Sequence, residues 1–490
     1  MSEQSLSADV ASSGDSASAS NTWWGAPGGG REVLSVAAPL VISSLSWSIM
    51  TFVDRMFLNH WSGAAMAAAF VGGVVWWAIV SLPMGICAYT GTFVAQYHGS
   101  GHAERIGPAV WQGTWIALLT SPIVLVTIPF GPALLQLNPD EAEYFRILCW
   151  SAPAMLAGQS LASFYSGRGK TLVVMVVDAA YAILNAFLAW WWIFGLTLEI
   201  GGEAVQVFPA WGIAGAGWAT TVSICLKAVT YLALFVAPWN RLKFGAWAWN
   251  FDSALVRRML YFGVPSGVQM MLDILGFTVF IRIVGLLGEV EKEATSMTFS
   301  VGSLAFMPVL GIGLATSILV GQHLGENRDK AAARATWTSL QIAWVYMGLV
   351  SLVLIGAPQW MLSGFFAGEA VEGDPAIRAA VAATAVVLLR FVAAYNFVDA
   401  MAIIFVSALK GAGDTRFILI VSLLMATLLG GLTWAVVEVF HAGLYGSWAV
   451  VSAWIASLGV IFLLRFLNGA WRSMRVIEAS LIKHDDAPVV

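Results

Sequence analysis

Charge is what this sequence has least of. Of its 490 residues only 11% are Asp, Glu, Lys or Arg, while 59% are hydrophobic. Soluble domains carry about 25% charged residues, so the deficit excludes an ordinary water-soluble globule and leaves lipid as the solvent. Nucleic acid is not an expected partner. Cysteine is equally scarce: Cys87, Cys149 and Cys225 all fall within apolar runs, which argues against a disulfide framework or a clustered metal site. Signatures of catalysis are missing as well. There is no HExxH, no GxSxG elbow with partners and no His/Cys pair at ligand spacing, so neither an enzyme nor a cofactor is expected. His98, His102 and His323 fall at helix ends and read as solvated. The stretch GRGKT, Gly167 to Thr171, imitates the end of a phosphate-binding loop, but that motif needs a glycine where Phe164 stands and a strand before it. It reads as a tight turn between helices.

What the chain does have is a succession of apolar runs, each long enough to cross a hydrocarbon core. They predict twelve spans: 33–59, 64–97, 107–131, 143–166, 172–196, 212–237, 258–287, 293–323, 333–357, 378–408, 416–440 and 443–468. Residues 1–30, rich in Ser, Ala and Gly, read as a disordered tail, and 469–490 as a solvated one. Arg105, Arg168, Lys170, Lys243, Arg328, Lys330, Lys410 and Arg472 fall in one set of connections. The other set holds little beyond Arg146, Lys292 and Arg378 and includes the acidic GEAVEGD, Gly368 to Asp374. By the positive-inside rule both termini are expected in the cytoplasm of a cell facing its inner membrane. Many tryptophans, Trp76, Trp77 and Trp190 to Trp192 among them, read as interfacial or lipid-facing.

The chain is also written twice. Shifted by 226 positions, Pro39 meets Pro265, Gly85 meets Gly311, Gln96 meets Gln322 and Gly99 meets Gly325, and the blocks VAQYHGSG and VGQHLGEN align. Shifted by 244, GRGKT meets GAGDT, Gly411 to Thr415. Each half has an even number of spans, so the copies are parallel repeats around an axis along the membrane normal, with the space between them open to a substrate. The expected fold is therefore all-α and polytopic, twelve transmembrane helices in two six-helix repeats around a central cleft. The N-lobe is assigned to 31–237, a cytoplasmic linker to 238–257 and the C-lobe to 258–468.

Four carboxylates are planted inside spans: Asp54, Asp178, Asp273 and Asp399. A charge at mid-bilayer costs about 2.5 to 3.5 kcal/mol, so one that is kept tends to face a polar interior and serve transport. Helical spacing places Tyr395 and Asn396 on the face of Asp399, and Ser266 and Gln269 on that of Asp273. Together these stripes suggest an oxygen-lined pocket for a proton or a small hard cation. The competing reading pairs each acid with an arginine such as Arg282 or Arg390, and Asp54 with its neighbour Arg55. Asp178, near the cytoplasmic end of span five, reads as hydrated.

These residues resemble the multidrug and toxic compound extrusion (MATE) transporters, NorM-like branch, over nearly all of Val33 to Asn468. The resemblance rests on FVDRMFLNH, the paired loops VAQYHGSG and VGQHLGEN, GRGKT with GAGDT, and GIAGAGWAT. It implies export of amphipathic, often cationic compounds driven by Na+ or H+ through rocking of two lobes. Asp54 matches the acidic position of the family's first span, and Asp273 and Asp399 match the cation site of NorM-like members, where Na+ is the metal the pair would hold. Asn185 is also as in the family, but Ala189 stands where many members have Asp or Asn, which shifts weight to the C-lobe acids. The expected function is thus a cation-coupled antiporter, acting as a monomer in the bilayer. The alternatives are a flippase for lipid-linked precursors or a non-transporting scaffold.

Overall fold

The computed structural model describes residues 22–200, 203–366, 375–478 and 481. Ten of its helices are long and apolar enough to cross a membrane, and Ala103–Leu125 with Thr127–Leu134, bent by 44°, makes an eleventh span. Span four is the one that no single helix supplies: Pro139–Cys149 and Ala152–Ser166 build it in two pieces. Proline explains both breaks. Pro129 lacks the donor that the Leu125 carbonyl needs, and Pro153 the one that Cys149 needs, and the preceding helices end at those residues.

Spans one (Gly30–Trp61), five (Thr171–Phe194), six (Gly212–Phe235), seven (Ser253–Val284), eight (Glu289–Gly325), nine (Asp329–Gly356), ten (Pro375–Ala412) and twelve (Gly443–Asn468) are continuous helices. Span two runs through Gly63–Ala88 and Thr90–Gly99, and span eleven, Thr415–Trp434, is extended by a π turn at Ala435–Val439. Between spans five and six, where the sequence suggested no element, the chain forms an antiparallel hairpin of β1 (Leu196–Ile200) and β2 (Glu203–Phe208).

The repeat is a structural fact. Span one packs on five as seven packs on eleven, three on four as nine on ten, and two on four as eight on ten. Between the halves, one packs on eight and two on seven. These approaches need glycine: a Cβ at Gly85 would lie 2.6 Å from the Cα of Gly267, and one at Gly311 would lie 2.7 Å from the Cα of Val41. Shifted by 226, the first contact becomes the second.

Both described chain ends lie on one face, and there they are not solvated tails. Trp23 Nε1 donates to Gln341 Oε1 at 2.6 Å, and Gly28 sits against the backbone of Ala331 and Ala335. At the other end Trp471, Val476 and Ile477 are buried, and Glu478 accepts from the Tyr97 hydroxyl at 2.8 Å and pairs with Arg258. The rest of the expected tails, residues 1–21, 479–480 and 482–490, lies outside the described residues, as does GEAVEGD. His323 likewise departs from expectation. It is buried and bridges Glu32 of span one and Glu326, each at 3.3 Å. The hydrogen bond from His323 holds the Glu326 carboxyl below its ordinary range. Trp76 is buried too, its ring tilted against Trp77, whereas Trp190 is exposed as expected.

Among the described residues, every hydrogen bond between the halves lies toward this terminal face, including Tyr89 to Lys410, Gln96 to Gly411 and Gln322 to Gly167. The lobes are joined at that face.

Candidate functional site

In the N-lobe three spans bring polar groups to one depth. Asp54, Asn185 and Thr220 stand seven, nine and eight residues from the ends of spans one, five and six that lie away from the terminal face. Thr220 Oγ1 donates to Asp54 Oδ2 at 3.0 Å and is itself reached by Asn185 Nδ2 at 3.3 Å. All three are buried, Asp54 to 4% exposure and Asn185 to zero. Asp54 Oδ1 and Asn185 Oδ1 have no protein partner. Arg55 does not serve as one, since its guanidinium stacks over Phe70, 4.9 Å from the ring centroid. A buried carboxylate with a single donor is costly, and either a proton or a cation relieves it. The free oxygens are hard ligands, the kind of donor that suits a hard cation. Thr220 escaped the sequence reading. The signal was there in the shared depth of polar positions along three apolar helices.

Asp178 is not the hydrated acid expected of it. It accepts from Ser43 Oγ and, at 3.0 Å, from the Tyr231 hydroxyl, and Lys227 Nζ lies 3.5 Å away. Lys227, in the middle of span six, was missed; it also faces Trp47, 6.0 Å from the ring centroid. Replacing Lys227 by Met should destabilise the N-lobe by about 2 kcal/mol, because Asp178 loses its counter-charge. Adding Asp178→Asn should recover most of that, as a thermal-shift series on the single and double variants would show. Equal losses in both would mean the pair is inert.

In the C-lobe the stripes form only in part. Gln269 Nε2 donates to Asp273, as the four-residue spacing implied, and Gln269 Oε1 is buried without a partner. Lys410, from the end of span ten, is the cation whose field reaches Asp273. Asp399 and Tyr395 are half-buried neighbours one turn apart. Asn396 turns elsewhere: its Nδ2 donates to Ser351 Oγ of span nine at 3.1 Å. Among the described residues no hydrogen bond or ion pair joins Asp273 with Asp399, and neither acid pairs with Arg282 or Arg390.

A twin-bundle membrane protein with its halves joined at one face and acids inside each bundle defines a class, the two-lobed membrane transporters. The chain belongs to one family of that class: its residues 39–191 and 265–433 match the MatE family. It is 30% identical over 88% of its length to the probable multidrug resistance protein NorM of Burkholderia mallei, 91% of which is covered. It is 26% identical to the multidrug resistance protein PmpM of Pseudomonas aeruginosa, over 93% of this chain and 94% of that one. Among solved structures, an outward-facing multidrug resistance MATE transporter of the MOP superfamily superposes with a TM-score of 0.79 at 17% identity, covering 90% of this chain and 96% of its own. At that identity the likeness speaks for the fold alone.

Proposed function

We propose that the protein is a cation-coupled antiporter that exports amphipathic, often cationic small molecules by alternating access. It acts as a monomer in the inner membrane with both termini in the cytoplasm. The observation that carries this reading is the buried Asp54–Thr220–Asn185 cluster with its two unpartnered oxygens. Such a cluster binds Na+ or a proton in one state of the lobes better than in the other, and only that difference in affinity can move the lobes. Asp273 with Gln269, and Asp399 with Tyr395, are assigned to the C-lobe part of the same cycle, as a second ion site or as anionic guides for cationic cargo. The multidrug relatives support the cargo class. A lipid-linked anionic cargo would want a cationic lining, and these acids have the opposite sign.

The energetics limit the stoichiometry. A tenfold cation gradient supplies about 1.4 kcal/mol, and 100 mV adds about 2.3 kcal/mol per charge moved. Exchange of one Na+ for one monovalent organic cation cancels the electrical part and supports only about tenfold accumulation. Steeper export requires neutral cargo or two ions per cycle.

The test is efflux of an organic cation from vesicles at fixed pH, with Na+ replaced by choline, beside a second series with a proton gradient and no Na+. Flux that responds to one ion identifies the coupling. Flux indifferent to both, in vesicles that still bind the cation, would overturn the antiport reading.

A further inference from the structure

Gln96 and Gln322 are mates in the internal repeat. Each reaches out of its own half. Gln96 Nε2 donates to the Gly411 carbonyl at 3.0 Å, and Gln322 Nε2 donates to the Gly167 carbonyl at 2.7 Å. Gly167 and Gly411 open GRGKT and GAGDT, the turns that are also mates. The same bond is therefore made twice, in exchange between the halves. The helices that carry the two amides cross at the mates Gly99 and Gly325. A Cβ at Gly99 would lie 2.0 Å from the Gln322 carbonyl oxygen, and one at Gly325 would lie 2.3 Å from that of Gln96. Gln96 is fully buried, and its Oε1 is held by the Val476 amide at 2.8 Å.

We propose that Gln96 and Gln322 form a reciprocal bolt that holds the terminal face shut, and that both bonds release together when the lobes rotate to open it. None of the acids in the spans touches this pair, so its work is separate from ion binding. A pseudo-twofold arrangement means that one rigid rotation breaks both bonds at once, which makes the closed state an all-or-none arrangement. An amide suits the task. It donates to a buried carbonyl without carrying charge into the interface, and on opening it and the carbonyl both bond to water, so the closed and open states lie close in free energy. A lysine in its place would bring a desolvation penalty each time the face closed. The inference rests on the alternating-access reading only in supposing that this face opens at all.

The test is a distance measurement that needs neither cargo nor ion flux. Spin labels are placed at Lys170→Cys and Lys330→Cys, on exposed positions of opposite halves, in full-length chain with Cys87, Cys149 and Cys225 replaced by Ala and reconstituted in lipid. The parent should show mainly the short, closed-face distance. Gln96→Leu and Gln322→Leu should each raise the ratio of long to short distances about tenfold, since each strands a carbonyl, and the double variant should raise it further. Gly99→Ala and Gly325→Ala provide an independent route for any leucine variant that fails to fold. They leave the glutamines in place but wedge the crossing, and should shift the distances the same way. Distances unchanged in the double leucine variant, or in the alanine pair, would overturn the bolt. Loss of efflux with normal opening would instead count against the antiport reading and leave the bolt standing.

Discussion

Asp54→Asn is expected to cut ion-driven efflux by about a hundredfold or more, the scale of losing a buried charge from its partner. The carboxylate is the only charged group in the N-lobe cluster, and its Oδ1 is free. Asparagine keeps the volume and an oxygen for the Thr220 hydroxyl, so the fold should survive. On the antiport reading, what disappears is the charge proposed to make a cation or proton prefer one lobe arrangement. Cargo binding should persist while dependence on the ion gradient vanishes, a separation that equilibrium dye binding and gradient-driven efflux, measured on the same vesicles, would reveal. Thr220→Val should give a milder loss of about tenfold, since it removes one hydrogen bond to a charged group and one oxygen. Asp273→Asn and Asp399→Asn belong in the same series. If they uncouple and Asp54→Asn does not, the ion site lies in the C-lobe, as the NorM resemblance implied.

The largest effect on stability is expected at Arg465→Met. Arg465 Nε lies 2.6 Å from Asp414 Oδ2, and Asp414 is buried at the turn between spans ten and eleven. Removing the arginine strands that carboxylate and should cost about 3 kcal/mol, toward the lower bound for a broken buried pair because Arg465 is partly exposed. Asp414→Asn added to it should return most of the loss. Unfolding monitored on detergent-solubilised chain would decide, and a double variant no better than the single would show that packing, rather than charge, is at stake. The position is instructive because its mate in the repeat is Lys170. The two turns kept their glycines while their charges diverged.

How much was readable before any coordinates existed follows from the range of the forces involved. Apolar runs and their spacing are local, so the spans and the doubling were plain; their breaks at Leu125 and Cys149 could have been read from Pro129 and Pro153. The glycine and glutamine mates showed in the repeat for a physical reason, since backbone-to-backbone approach between the halves tolerates no Cβ. Asp54 stood out as a charge in lipid. Its partner Thr220 did not, because it comes from a helix more than a hundred residues away, and Asn185, picked out only by the family resemblance, joins the cluster through Thr220. Lys227 was overlooked for a related reason: a lone cation in an apolar run says nothing of the acid opposite until the helices are packed. Asn396 shares a helix face with Asp399 yet bonds to Ser351, since i,i+3 spacing sets proximity and the neighbouring span sets direction. His323 and the stretches 22–30 and 469–478 were misjudged because a helix terminus looks solvated until another segment folds over it.

The strap formed by Trp471 to Glu478 has a practical consequence. Because Val476 grips Gln96, and Glu478 grips Tyr97 and Arg258, the segment from Trp471 to Glu478 behaves as a clasp. Clipping the polypeptide behind Asn468, or fusing a reporter directly there, would remove these contacts and slacken the face at which the halves are joined.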